Sequence, residues 1–267
     1  MSGRARAGWS FFVGSLIGTL GGLIGLGGAE FRLPVLVGLF HLPSLEAVIL
    51  NKAVSLVVVA AALIFRAQEI PFDQLVPHLD VVLNLLAGSL LGAWWAAGHA
   101  ITMSRRLLNR IIMVLLIGLA LLMLSEALFE FHNGTMPLFH AGPIRFIVGL
   151  AAGLGIGMVA ALLGVAGGEL LIPTIVLLYG LDIKLAGSIS LMVSLPTMIV
   201  GFARYSSSNA FAVLRQEHLL FRWMVAGSIL GAGIGGLLLG IVPPRVLIGF
   251  LGVILLISAV KTFQHAH

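Results

Sequence analysis

The sequence predicts an all-α polytopic membrane protein of two inverted repeats, each a glycine-broken re-entrant helical hairpin followed by three membrane-spanning helices. Three observations lead there. The 267-residue chain is 60% hydrophobic and 9% charged, with mean hydropathy +1.14, whereas a soluble domain carries about 25% charged residues. Its second half repeats its first without a gap, 139 positions on. Each half also opens on a glycine cluster, a glutamate and a short arm reaching a proline: GGLIGLGGAEFRLP at 21–34 and AALLGVAGGELLIP at 160–173.

Composition narrows the function classes. The net charge of +5 and pI near 10.4 come from few Lys and Arg residues, most of them at the ends of apolar runs. Topology signals and anionic headgroups explain that placement, so no nucleic-acid partner is expected. With no cysteine there is no disulfide, thiolate metal site or thiol nucleophile. The eight histidines fall in loops, segment ends or the tail without H-x-x-x-H spacing, so neither a metal site nor a cofactor is expected.

The elements follow in order. Residues 8–29 form an uncharged, glycine-rich run of spanning length, read as an uncleaved first segment. Residues 31–40 form a shorter run; ten helical residues rise about 15 Å, half of a hydrocarbon core of about 30 Å. That arm reaches the middle of the bilayer and cannot cross it. Spans follow at 47–65, 81–97 and 107–124, with Trp94 and Trp95 as interface anchors. The largest break, with two prolines and an Asn-Gly pair, divides the chain into repeat 1 at about 8–128, a loop at 129–143 and repeat 2 at about 144–262. The whole is one transmembrane domain.

The repeat rests on more than shared hydrophobicity. Gly14 falls on Gly153, Gly18 on Gly157, Gly25 on Gly164, Gly28 on Gly167, Glu30 on Glu169, Pro34 on Pro173 and Ser55 on Ser194. A re-entrant first pair leaves three crossings per half and inverts the halves, whereas a fully crossing first segment makes them parallel. The Lys and Arg distribution and the short second arm favour inversion, with both termini cytoplasmic in a plasma-membrane, multi-pass protein.

The chemistry concentrates at the breaks. Glycine pairs ahead of a short arm leave backbone N–H groups unpaired at its start, and unpaired backbone inside a bilayer must face protein or a water-filled cavity. Two half-helix N-termini converging from opposite sides form an anion site without fixed positive charge. The candidate substrate-binding residues are Gly27, Gly28 and Ala29 in the first half and Gly167 and Gly168 in the second. Asn51, Lys52, Ser55, Ser190 and Ser194 on the following spans complete them. Gly88, Gly92, Gly231 and Gly235 read instead as helix-packing glycines. Glu30 and Glu169 are costly in a bilayer; they cap their own half-helices, pair with Arg32, Lys52 or Arg204, or carry protons. Lys52 either reaches the anion or snorkels to the interface.

The glycine-rich segment 21–28 running on to Pro34, and its copy 164–168 running on to Pro173, resemble the sulfite exporter TauE/SafE family of membrane permeases along nearly the whole chain. The resemblance implies a carrier, commonly an exporter, for sulfur oxyanions or organosulfonates such as sulfite or sulfoacetate. Many members have an apolar or small residue where Glu30 and Glu169 stand, so this chain departs from the family at its acidic positions. A secondary transporter working by alternating access is the function expected, and the protein is not expected to be an enzyme. A passive anion channel, a metal-ion permease and an intramembrane enzyme are the competing readings. The partners expected are the small anion, the lipid bilayer and possible further copies in a homo-oligomer.

Overall fold

A computed structural model describes residues 3–24, 28–69, 75–129, 137–140, 142–237 and 244–264. Among them the chain is helical, with no strand. The first half contains α1 (Gly3–Ile24), α2 (Ala29–Gly38), α3 (Ser44–Glu69), α4 (Leu79–Thr102) and α5 (Arg105–Phe129). The second contains α6 (Pro143–Leu163), α7 (Gly168–Tyr179), α8 (Ile183–Tyr205), the short α9 (Val213–Gln216), α10 (His218–Leu237) and α11 (Pro244–Gln264). Helices α2, α3, α4 and α5 begin 139 residues before α7, α8, α10 and α11, so the offset in the sequence is also an offset in the helices.

The short arms begin where the sequence breaks. Gly28 and Gly167 precede α2 and α7 in the left-handed region, at φ 66° and 82°, a conformation that a Cβ strains. At the far ends, Gly180 (φ 70°) stands 139 residues after His41 (φ 55°), the single non-glycine residue with positive φ among the described residues. Pro34 and Pro173 sit inside α2 and α7. The helices run a little beyond the apolar runs: α3 continues through Glu69 and α5 to Phe129.

Among the described residues six helices, α3, α4, α5, α6, α8 and α10, are long and apolar enough to cross a membrane. Their outer faces expose large apolar side chains such as Leu83, Leu91, Val114, Leu121 and Ile147, each at least half exposed. Such a girdle suits lipid rather than water.

The halves interlock instead of packing side by side. Helix α1 lies along α10, and α6 along α4. At the first crossing, a Cβ on Gly14 would stand 2.6 Å from the Met224 carbonyl oxygen, and one on Gly18 or Gly231 would collide with the Ser228 or Ser15 carbonyl. The second crossing repeats this: Gly88, Gly92 and Gly157 meet the backbones of Leu150, Leu154 and Ser89. Small residues let membrane helices approach to backbone contact, and these matched glycines build the two crossings. Gly88 faces Leu150 and Gly92 faces Leu154, so α4 and α6 run the same way, and Phe11 against Gly227 with Thr19 against Gly231 gives α1 and α10 the same relation. By contrast α5 and α11 run in opposite directions, with Ala127 against Gly249 and Leu124 against Gly252.

The short arm α7 runs back along α6. Gly167 lies against Ile156 and Ala160, deep along α6. The other end of α7 returns to the beginning of that helix, where Gly149 abuts the Tyr179 hydroxyl and Asn84, and Asn84 Nδ2 donates to Tyr179 Oη at 2.9 Å. In the first half Gly28 lies against Ile17 and Gly21 of α1, while Gly38, at the end of α2, meets Thr262 near the end of α11. Arg6 near the start of α1 bridges Glu217, just before α10, at 2.8 Å. Ser44, which opens α3, hydrogen-bonds Asn109 in the first turns of α5.

Candidate functional site

The site forms where the two half-helices begin. Asn51 and Ser55 stand one turn apart on α3 and therefore share a face. Asn51 ties three segments together: its Nδ2 donates to Ala29 O on α2 and to Leu163 O at the tip of α6, both at 3.0 Å. Its Oδ1 accepts from Arg32 Nη1 at 3.2 Å.

Arg32 is wholly buried. Its guanidinium also donates to Ser55 Oγ at 3.0 Å and to Ser228 Oγ of α10 at 3.3 Å, while Nε has no partner. All three acceptors are neutral, and among the described residues no carboxylate lies within salt-bridge distance of Arg32 or Lys52. Sequence reasoning left Arg32 out of the binding set, and Ser228 with it. The available signal was an arginine inside a ten-residue apolar arm, because an intramembrane cation is by default a functional candidate.

Lys52 does not snorkel. It is wholly buried and donates from Nζ to Ala160 O at 3.2 Å. Helix α6 ends at Leu163, where the last carbonyls depend on capping donors; Gly164 and Val165 N–H reach Ala161 O and Ala160 O at 3.3 and 3.2 Å. Lys52, Asn51 and Tyr205 supply donors to Ala160, Leu163 and Ala161 respectively, the last at 3.1 Å. A cation at the negative end of a helix dipole is favourably placed.

Glu30 and Glu169 stand in the first turns of α2 and α7, and their carboxyl groups face each other within hydrogen-bonding reach. Both side chains are buried. Each carboxyl lies near the N–H of its own residue, at the positive end of its helix, yet neither Glu30 oxygen closes a hydrogen bond with a donor, nor does Glu169 Oε1. Neither acid is ion-paired with Arg204, whose guanidinium stacks over Trp94 at 4.9 Å instead.

The remaining predicted residues divide. Gly28, Ala29, Gly167 and Gly168 form the two helix starts, and Gly27 lies outside the described residues. Ser190 donates to Gly187 O of its own helix at 3.0 Å. Ser194 is buried with no partner for its Oγ. Its equivalent Ser55 is bonded by Arg32, but Leu171 stands where the second half would need that arginine, and Leu191 stands in place of Lys52. Ser89, equivalent to Ser228, pairs with Thr197 at 2.7 Å. The scaffold is symmetric, whereas both cations belong to the first half.

This group is closed to solvent. A cavity of about 500 Å³ opens between α4, α6 and α7 beside Asn84, Arg145 and Tyr179, and one of about 220 Å³ lies near Trp94, His99 and Arg204. Neither is lined by Glu30, Arg32 or Lys52. Among the described residues no three His, Asp or Glu side chains gather as metal ligands would.

Comparison with known proteins adds one match: the family model for the sulfite exporter TauE/SafE fits residues 10–262. No curated protein and no solved structure matches the chain.

Proposed function

Because the chain belongs to the sulfite exporter TauE/SafE family of membrane transporters, we propose that it exports sulfite-type anions across the plasma membrane by alternating access, binding them between the starts of α2 and α7. The observation that carries this reading is Arg32, a buried guanidinium held by three neutral acceptors with no carboxylate in salt-bridge distance among the described residues. Burying a cation without a direct ion-pair partner costs several kcal/mol, and Glu30 acts on Arg32 only through space. An anion arriving beside it, at two helix N-termini, supplies the direct anionic contact that Arg32 lacks.

The architecture behind this reading is a pair of inverted re-entrant hairpins. The return of α7 to the level of Gly149 supports it for the second half. In the first half, α1 starts beside the start of α10 and α2 ends beside the end of α11. With α10 and α11 read as a run out and back, α1 enters and α2 leaves on one side. The Ser44–Asn109 contact supports the start of α3 lying on that side too, at the start of α5. Asn84, which meets the end of α7, lies at the opposite end of α4. The two hairpins then enter from opposite faces, leaving α3, α4 and α5, and α8, α10 and α11, as crossings.

In this mechanism two units that each draw on both halves, one built on the α1–α10 crossing and the other on the α4–α6 crossing, rock against each other about the site. Ser55, Asn51 and Ser228 position the Arg32 fork, and Lys52 holds the tip of α6. An inside-negative potential drives an anion outward by about 2.3 kcal/mol per charge per 100 mV.

The test is flux from proteoliposomes loaded with sulfite, sulfate or chloride. Saturable sulfite efflux with no single-channel conductance is expected. A conductance would favour a channel, and sulfite flux no faster than from empty vesicles would reject the reading.

A further inference from the structure

We infer that Glu30 and Glu169 form one proton-binding unit, loaded while the starts of α2 and α7 are together and emptied when they part. Its consequence for transport rests on the reading above; its geometry does not.

Two carboxyl groups that face each other can share a hydrogen bond only if one of them holds a proton, because a carboxylate is acceptor-only. Two ionised carboxylates so close repel each other. The N–H groups of Glu30 and Glu169 and the more distant Arg32 offset that repulsion only in part. Among the described residues, three of the four carboxyl oxygens find no donor, and no cation comes within salt-bridge distance. Arg32 on α2 acts on Glu30 through space but is committed to Asn51, Ser55 and Ser228. Lys52 on α3 is committed to Ala160. Tyr205 at the end of α8 is buried and committed to Ala161 O; the other titratable side chains of α1, α6, α8, α10 and α11 lie toward the ends of those helices, and α7 offers no other at this level.

The pair comes from equivalent positions of the two repeats, so each hairpin brings one oxygen pair to the contact. Any motion that separates the half-helices leaves each carboxyl facing water, where it ionises. Closure therefore binds one proton more than the open state, and the closed population falls as pH rises, by about tenfold per pH unit for one proton. With one anion moved per cycle, a gradient of one pH unit shifts the anion distribution by the same factor.

The experiment uses the full chain reconstituted in lipid. Infrared spectra recorded without any substrate read the C=O stretch of a protonated carboxyl directly. The wild type is expected to show this band, and both Glu30→Gln and Glu169→Gln to lose it, because an amide donates to the remaining carboxylate without a proton. Two separate amide variants guard against one of them failing to fold. In sulfite-loaded vesicles a pH gradient of one unit should change the wild-type distribution about tenfold and leave both variants unmoved.

Absence of the band from the wild type, or its persistence in both variants, overturns the inference whatever happens to sulfite. A normal band with sulfite flux that ignores the pH gradient, or follows a sodium gradient instead, overturns the coupling while leaving sulfite transport standing. A normal band with no sulfite flux at all rejects the transport reading and keeps the proton pair.

Discussion

Replacing Arg32 by methionine separates the needs of the fold from those of the ligand. The guanidinium makes three hydrogen bonds, at 3.2, 3.0 and 3.3 Å, to Asn51, Ser55 and Ser228. Hydrogen bonds from a charged donor contribute about 1.5–3 kcal/mol each, so together about 4.5–9 kcal/mol. Against this stands a desolvation penalty of several kcal/mol for a cation without an ionic partner. The two nearly cancel. Methionine fills much of the vacated space with an adaptable side chain. The serines can turn to their own helix carbonyls, leaving chiefly Asn51 Oδ1 unsatisfied, at a cost of about 1–3 kcal/mol. The folded protein is thus expected to stay within about 2 kcal/mol of the wild type. Anion binding loses a charge-assisted contact of about 1.5–3 kcal/mol, a weakening of Kd by about 10- to 150-fold. The assays are sulfite-dependent thermal stabilisation of purified protein and the sulfite concentration that half-saturates flux. Arg32→Met with wild-type affinity would refute an anion site at this guanidinium. Loss of folded protein in Arg32→Met would show that the arginine serves the scaffold instead.

Three further outcomes follow from the packing. Gly157→Ala drives a methyl group into the Ser89 carbonyl and should abolish monodisperse protein in detergent, whereas Gly155→Ala, with open space around it, should be neutral or gain up to about 1 kcal/mol from helix propensity. Ser55→Ala removes an acceptor from Arg32 and should lower stability by about 1–3 kcal/mol, while Ser194→Ala removes a buried hydroxyl without a partner and should be neutral or slightly stabilising; thermal unfolding of the two variants reads the difference. Tyr205→Phe deletes the bond to Ala161 O, which Gly164 N–H still supports at 3.3 Å, so a loss of about 1 kcal/mol or less is expected in the same measurement.

Much of this protein is local and therefore present in its sequence. Apolar runs, glycine pairs and prolines mark the helices and their breaks because hydrogen bonding within a bilayer must be satisfied within each segment. The start of α2 after Gly28 and of α7 after Gly167 needed no tertiary information, nor did the 139-residue correspondence. The sequence also marked Glu30, Glu169 and Lys52 as residues that a membrane does not admit without compensation. It could not say what compensates them. The glycines of α1 and α6 choose helices of the opposite half, α10 and α4, and that crossing brings Ser228 to Arg32 from 196 positions away. It likewise places Glu169 opposite Glu30, and Ala160 under Lys52. A chain states the cost of a buried polar group at its own position, whereas the partner that meets that cost is set by which helices come together in space.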